Sequence, residues 1–385
     1  MPITLRRAYA GIGAIFALAG FLFGTWAARI PDIKRAYQLD DGTLGLLLLC
    51  IAIGALFAMP LAGPLAARFG SRPVITVTAL GAGLGLPVVT VVADVGILAI
   101  VLLVFGALIG ALDIAMNVQA SFIERRSGRR IMAGLHGMFS VGGMIGALAG
   151  GLAAWVGIDI MIHFIAVDLL SLAVVGFAAR KLASGDQDGG KPAAFTLPGR
   201  ELLPLGLMAF TVLLTEGAVT DWSAVYLTAD LHASPVAAAA GYAAFSLTMA
   251  IGRFTGDRMI ERFGPDALLR AGAVLSGLGL LAAIGLGGVA AAVTGFGLVG
   301  LGLSCLFPIL VSAATRIGRT SAGSAIAGVA SVGYLGFLLG PPAIGFIASH
   351  FGLATAFALL VVLLGSVYAL AGRAGGGEAA AAGPA

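Results

Sequence analysis

Charge is scarce in this chain. Only 10% of its 385 residues are Asp, Glu, Lys or Arg, where a soluble domain carries about 25%. With 59% hydrophobic residues there is too little polar surface to cover a body in water, which excludes an ordinary soluble domain. Cysteine is scarcer still. Cys50 and Cys305 are the 2 present; both lie in apolar blocks far apart, and they read as small hydrophobes without a disulfide framework or metal-ligand spacing. The 4 histidines form no catalytic spacing, and no Asp-rich motif occurs, which argues against an intramembrane enzyme. A Walker-type Gly-x-x-x-x-Gly-Lys-Ser/Thr stretch is also missing, so ATP is excluded as the energy source. No cofactor is implied.

What the chain has instead is 59 glycines and apolar blocks of about twenty residues, the length an α-helix needs to cross a hydrocarbon core roughly 30 Å thick. Bounded by Gly, Pro and charge, the blocks predict spans at 8–28, 43–66, 73–93, 96–120, 133–155, 159–179, 201–228, 236–257, 267–286, 289–314, 320–348 and 351–372. Arg6 and Arg7 precede a run ending in Thr25-Trp26-Ala27-Ala28. That run exceeds the roughly 7–15 residues of a signal-peptide core, so it reads as the first span.

The net charge of +4 does not point to nucleic acid, because the basic residues sit in short loops, where their role is topological. With a cytoplasmic N-terminus, 19 of the 22 Lys and Arg fall on inward segments, and Arg29, Lys34 and Arg35 fall in the first outward loop. The positive-inside rule therefore places both termini in the cytoplasm. Residues 181–200, polar and Gly-containing, read as a cytoplasmic linker between six-span bundles at 1–180 and 201–373, and 374–385 reads as a disordered tail.

The halves repeat. Ala67-Arg68-Phe69-Gly70 is echoed by Glu261-Arg262-Phe263-Gly264, and Ser140-Val141-Gly142 by Ser331-Val332-Gly333. Matches at the same ordinal places within six spans indicate two pseudo-symmetric, like-oriented six-helix bundles, an arrangement of transporters that rock about a midplane site.

These residues carry a family resemblance. Gly63-Pro64-Leu65-Ala66-Ala67-Arg68-Phe69-Gly70-Ser71-Arg72 resembles the signature loop of the major facilitator superfamily, and Gly256-Asp257-Arg258 with Arg262-Phe263-Gly264 resembles its second copy. Within it, Trp26-Ala27-Ala28-Arg29-Ile30-Pro31-Asp32-Ile33-Lys34, Asp113-Ile114-Ala115-Met116-Asn117 and Asp221-Trp222-Ser223-Ala224-Val225-Tyr226 resemble a bacterial subgroup related to the fucose permeases. The resemblance implies a twelve-helix transporter that works by alternating access on a sugar-like solute. Where the signature has an acid in its first copy this chain has Ala67, which shifts any charge-based latch to Asp257.

Ionisable residues inside spans cost about 2.5–3.5 kcal/mol on insertion scales unless they face a partner or a wet cavity. They are the site candidates. Asp113 and Asn117 lie one turn apart in span four, and the resemblance places that span on the central cavity. Glu216 shares a face of span seven with Thr220 and Ser223. Asp221 sits about 140° around the helix from it, so both acids meet one cavity only if the helix is interrupted near Gly217. Trp222, Tyr226 and Trp26 stack on a solute or anchor at the membrane interface. His136 and Ser140 share a face of span five, as a titratable pair or as packing. Arg253 and Asp257, spaced i,i+4, form with Arg68 and Arg262 a cytoplasmic gate. Arg29 with Asp32 is an outer gate or a solvated turn, and Asp168 carries no assigned role. The glycines at 142, 143, 146 and 150 give the small-xxx-small spacing of close helix packing.

The reading is a monomeric secondary transporter of a small solute, coupled to protons through Asp113 and Glu216. An exporter of amphipathic compounds, a non-transporting sensor and an intramembrane enzyme are the alternatives.

Overall fold

The structure is a computed structural model that describes residues 3–129, 131–184, 199–317 and 322–375. Most of the expected linker, and the tail beyond residue 375, lie outside the described residues. Among the described residues twelve helices are long and apolar enough to cross a membrane. In the first half these are α1 (Ile3–Ala36), α2 (Asp41–Phe69), α3 (Ser71–Val91), α4 (Val95–Ser127), α5 (Met132–Trp155) and α6 (Ile160–Ala179). The second half holds α7 (Leu203–Ala229), α8 (Pro235–Phe263), α9 (Pro265–Gly285), a tenth span broken into α10 (Val289–Leu303) and α11 (Leu306–Ile317), α12 (Ala322–Phe351) and α13 (Leu353–Leu370). Among the described residues the chain is an all-α membrane protein. Its residues group into two compact units, 1–192 with 234–243, and 193–233 with 244–385.

Spans four and eight run on to Ser127 and Phe263, and two further differences from the predicted spans change how their residues are read. The first helix does not stop at residue 28 but continues through Pro31 to Ala36. Its apolar face carries on at a three-residue spacing in Ala27, Ile30 and Ile33, each at most 2% exposed, and that burial outweighs the backbone bond Pro31 cannot make. Arg29, Lys34 and Arg35 thus stand on a helix, not in a loop. The tenth span, expected as one helix over 289–314, breaks at Ser304-Cys305. Pro308, four residues on, has no N–H for the Ser304 carbonyl and its ring crowds that oxygen. The Ser304 hydroxyl turns back to the Leu301 carbonyl at 2.7 Å.

The sequence repeat recurs as geometry. α2 ends at Gly70 with φ 86° and its N–H on the Ala66 carbonyl at 2.8 Å; α8 ends at Gly264 with φ 78° and its N–H on the Ile260 carbonyl at 2.9 Å. Only glycine takes that backbone without strain. Beside each, the arginine lies over the next ring, Arg68 on Phe69 at 5.1 Å and Arg262 on Phe263 at 5.2 Å.

In the first unit α1 packs chiefly on α5, and in the second α7 packs on α12. Gly20 and Gly24 of α1 meet the Phe139 and Gly143 carbonyls, while Gly142 and Gly146 of α5 meet the Ala17 and Phe21 carbonyls. The expected small-residue packing of span five is therefore a contact with the first helix, with no room for a Cβ at any of these positions. Gly336 of α12 stands likewise on the Phe210 carbonyl of α7.

Candidate functional site

The polar residues of the second unit gather on α7, α8 and the broken tenth span. α7 is one uninterrupted helix from Leu203 to Ala229. The interruption near Gly217 that a cavity shared by both acids would require does not occur: a Cβ there would stand 2.9 Å from the Phe337 ring, so that glycine makes room for a neighbour. Glu216 and Asp221 accordingly point to different sides. Glu216 reaches α8, where Arg253 Nη2 lies 3.5 Å from its Oε1, with both side chains only about one-fifth exposed (21% and 22%). Asp221 is part-exposed. The Thr220 hydroxyl donates to the Glu216 backbone carbonyl at 2.8 Å, which ties it to its own helix.

Arg253 is flanked on α8 by Gly252 and Gly256. These bare positions admit the break in the tenth span: a Cβ at Gly252 would collide with the Ser304 side chain, and one at Gly256 would stand 2.8 Å from Cys305 Sγ. The Cys305 thiol donates to the Gly252 carbonyl at 3.5 Å. The discontinuous helix therefore belongs to the tenth span, and it sits against the Arg253 that pairs with Glu216. Sequence reasoning missed Ser304 and Cys305; the signal was Pro308 at i+4.

In the first unit, Asn117 Nδ2 donates to the Asp113 backbone carbonyl at 2.8 Å and to Asp113 Oδ1 at 3.2 Å. The pair shares one face of α4, and the amide is turned back on its own helix. His136 of α5 stands edge-on to Phe16 of α1, ring centres 5.3 Å apart. The Ser140 hydroxyl, buried, donates to the His136 carbonyl at 3.3 Å.

Three aromatics proved to be interior. Trp222 is fully buried, Trp26 packs on Phe105 of α4 with ring centres 5.9 Å apart, and the Tyr226 hydroxyl donates to the Ala283 carbonyl at 3.2 Å between Phe296 and Phe357. None faces outward, which removes the interface-anchor reading: an anchor must reach the headgroup layer. The Trp26 and Trp222 indole N–H groups and the Ser223 hydroxyl are buried without a hydrogen-bond partner among the described residues.

Arg29 is 2% exposed and bonds both Asp32 and the Ile158 carbonyl at 2.9 Å. A solvated turn is thereby excluded, and the arginine ties the end of α1 to the segment leading into α6. Asp168 borders Gly83 of α3. Gln119, a fully buried amide that sequence reasoning passed over two residues beyond Asn117, accepts from the Ser71 hydroxyl and donates to the Ala183 carbonyl at 3.2 Å. Arg68, Arg262 and Asp257 sit in the exposed end turns of α2 and α8.

Comparison with known proteins places these features in a family. The profile described as Major Facilitator Superfamily matches residues 10–219 and 205–374. An uncharacterized MFS-type transporter of Yersinia pestis is 40% identical over 358 residues, 92% of this chain and 93% of the relative. Among solved structures, the nucleoside transporter NupG superposes with a TM-score of 0.70 at 14% identity, covering 96% of this chain and 99% of its own. The E. coli fucose:proton symporter FucP superposes with a TM-score of 0.65 at 17% identity, covering 95% and 98%. At these identities the two structures speak for the fold.

Proposed function

Because the chain belongs to the major facilitator superfamily of transporters, we propose that it is a proton-coupled carrier of a small, sugar-like solute. It works as a monomer by alternating access in a bacterial inner membrane, with both termini cytoplasmic. The topology rests on the bias of Lys and Arg toward one set of loops.

The observation that carries the coupling reading is the Glu216–Arg253 pair at 3.5 Å. A carboxylate held at the long edge of a hydrogen bond, with part of its surface open, can take up a proton and let its partner go. Arg253 then turns to Asp257, one turn along α8, and the charge shift acts on the adjoining break at Ser304-Cys305. The bistable element is thus a discontinuous helix next to an ion pair, a device known from other carriers. Asp113 with Asn117 supplies the second acid and an amide suited to hydroxyl groups. Trp26 and Trp222 are buried here with unmet indole donors among the described residues, and each gains an apolar face and a hydrogen bond for a sugar ring only when alternating access uncovers it.

Counterflow in proteoliposomes with labelled hexoses, nucleosides and a lipophilic cation tests the substrate class. Exchange of a hexose that unlabelled polyols suppress supports the reading. Exchange confined to the lipophilic cation assigns the exporter alternative, and no exchange of any label assigns the sensor.

A further inference from the structure

Outside the polar cluster, the second unit carries a cleft of about 630 Å³ at the beginning of α7. Leu203, Leu207, Phe210, Val332 and Leu370 form its walls, and Arg200, in the turn that leads into α7, forms its rim. Leu203 and Leu207 are 51% and 48% exposed, so the cleft opens sideways from the helix bundle. The lining gives a polar solute nothing to bond except that one guanidinium. Its walls are suited to a hydrocarbon chain.

Arg200 is the charged group of the rim, and further arginines lie at the same end of the unit. The Arg200 turn packs on α11 and α12, and the short turn Gly372–Gly375 packs on α7 and α11. Arg316, in the last turn of α11, bonds the Ala374 carbonyl at 3.5 Å, and Arg270 lies over the Tyr368 ring at 5.3 Å and beside Gly372. Arg200, Arg270, Arg316 and Arg373 are all exposed at this end of the unit, with Glu201 the acid next to Arg200.

An apolar cleft with a guanidinium at its rim and further arginines at the same end of the unit matches one kind of molecule, with acyl chains at one end and an anionic headgroup at the other. We propose that this cleft is a selective site for an anionic phospholipid, with one acyl chain between α7, α12 and α13 and its headgroup phosphate on Arg200. A layer of unspecific lipid gives no preference between headgroups. This site does, because the cations act within a Debye length on the net charge of the headgroup, which is negative in phosphatidylglycerol and cancelled by the choline ammonium in phosphatidylcholine.

Native mass spectrometry of the purified chain, with phosphatidylglycerol and phosphatidylcholine of identical chains at equal concentration, tests it. The wild type retains phosphatidylglycerol in preference. Arg200→Gln lowers that preference about fivefold, the weight of one basic residue near a charged headgroup, and Arg200→Lys keeps most of it. Leu207→Trp fills the cleft and lowers retention of both lipids; its position is half-exposed, so the bundle accommodates the ring. In the wild type, a photoreactive acyl chain on phosphatidylglycerol labels the 203–210 segment and Leu370, a result that does not depend on any variant folding. Equal retention of the two lipids, an undiminished preference in Arg200→Gln, or labelling spread evenly over all helices overturns the proposal. So does displacement of the lipid by inorganic phosphate alone, which identifies a free-anion site.

Discussion

The guanidinium of Arg253 lies 3.5 Å from the carboxylate of Glu216, between two helices that follow one another in the second unit. This pair sets the energetics of the site. Removing one partner of this mostly buried pair takes a counter-charge from the other, while removing both leaves neither charge behind. Glu216→Gln or Arg253→Gln alone is expected to cost about 1–2 kcal/mol, below the figure for a fully buried pair because water reaches these side chains. The double variant recovers most of that loss. Thermal unfolding of the three proteins in detergent checks the ordering, and equal losses that add in the double variant contradict it.

The glycine contact of α1 with α5 leaves no volume for a methyl group. Gly142→Ala drives a Cβ into the Ala17 carbonyl and is expected to cost about 1–3 kcal/mol as overpacking. Gly176→Ala on α6, where nothing stands within 4 Å, is expected to be neutral or to stabilise by up to about 1 kcal/mol through helix propensity. Melting temperatures of the two variants, measured side by side, separate packing from propensity.

Pro308 makes the break in the tenth span. Pro308→Ala restores a donor for the Ser304 carbonyl and removes the ring, so α10 and α11 are expected to join and the protein to melt higher, with a gain bounded by the roughly 3 kcal/mol a helical proline costs. Turnover is expected to fall, because the element next to Arg253 loses one of its two arrangements. A variant that melts higher and transports as fast as the wild type contradicts that role.

Asp40 lies between α1 and α2 and caps α2, accepting from the Thr43 N–H at 2.7 Å and its hydroxyl at 3.1 Å. These bonds hold its carboxyl below the ordinary carboxylate value. A depressed value means the stabilisation is present above the unfolded-state pKa and is lost as pH falls through the folded one. Asp40→Ala is expected to cost about 1 kcal/mol at neutral pH. Asp40→Asn keeps the cap and loses its acid sensitivity, which hydrogen exchange at the start of α2 at neutral and acidic pH resolves.

Most of the fold was legible because a bilayer imposes a length on every apolar block, and the Arg-Phe-Gly repeat marked equivalent ends of α2 and α8. What escaped lay in interactions between distant residues. Pro31 and Pro308 look alike in sequence, yet one is absorbed by a buried face and the other breaks its helix. Spacing alone put Arg253 beside Asp257 on α8, but its contact with Glu216 crosses to another helix. The tryptophans gave an ambiguous signal, since an indole suits an interface and an interior equally until burial is known.

Proton flux decides the central claim most directly. Liposomes loaded with a pH-sensitive dye and carrying the wild type, Glu216→Gln or Asp113→Asn are given the hexose that counterflow selects. The wild type is expected to acidify the lumen on solute addition. Glu216→Gln is expected to exchange solute in counterflow with no proton movement. If Glu216→Gln moves protons with solute as the wild type does, the ion pair with Arg253 is structural and the coupling lies elsewhere.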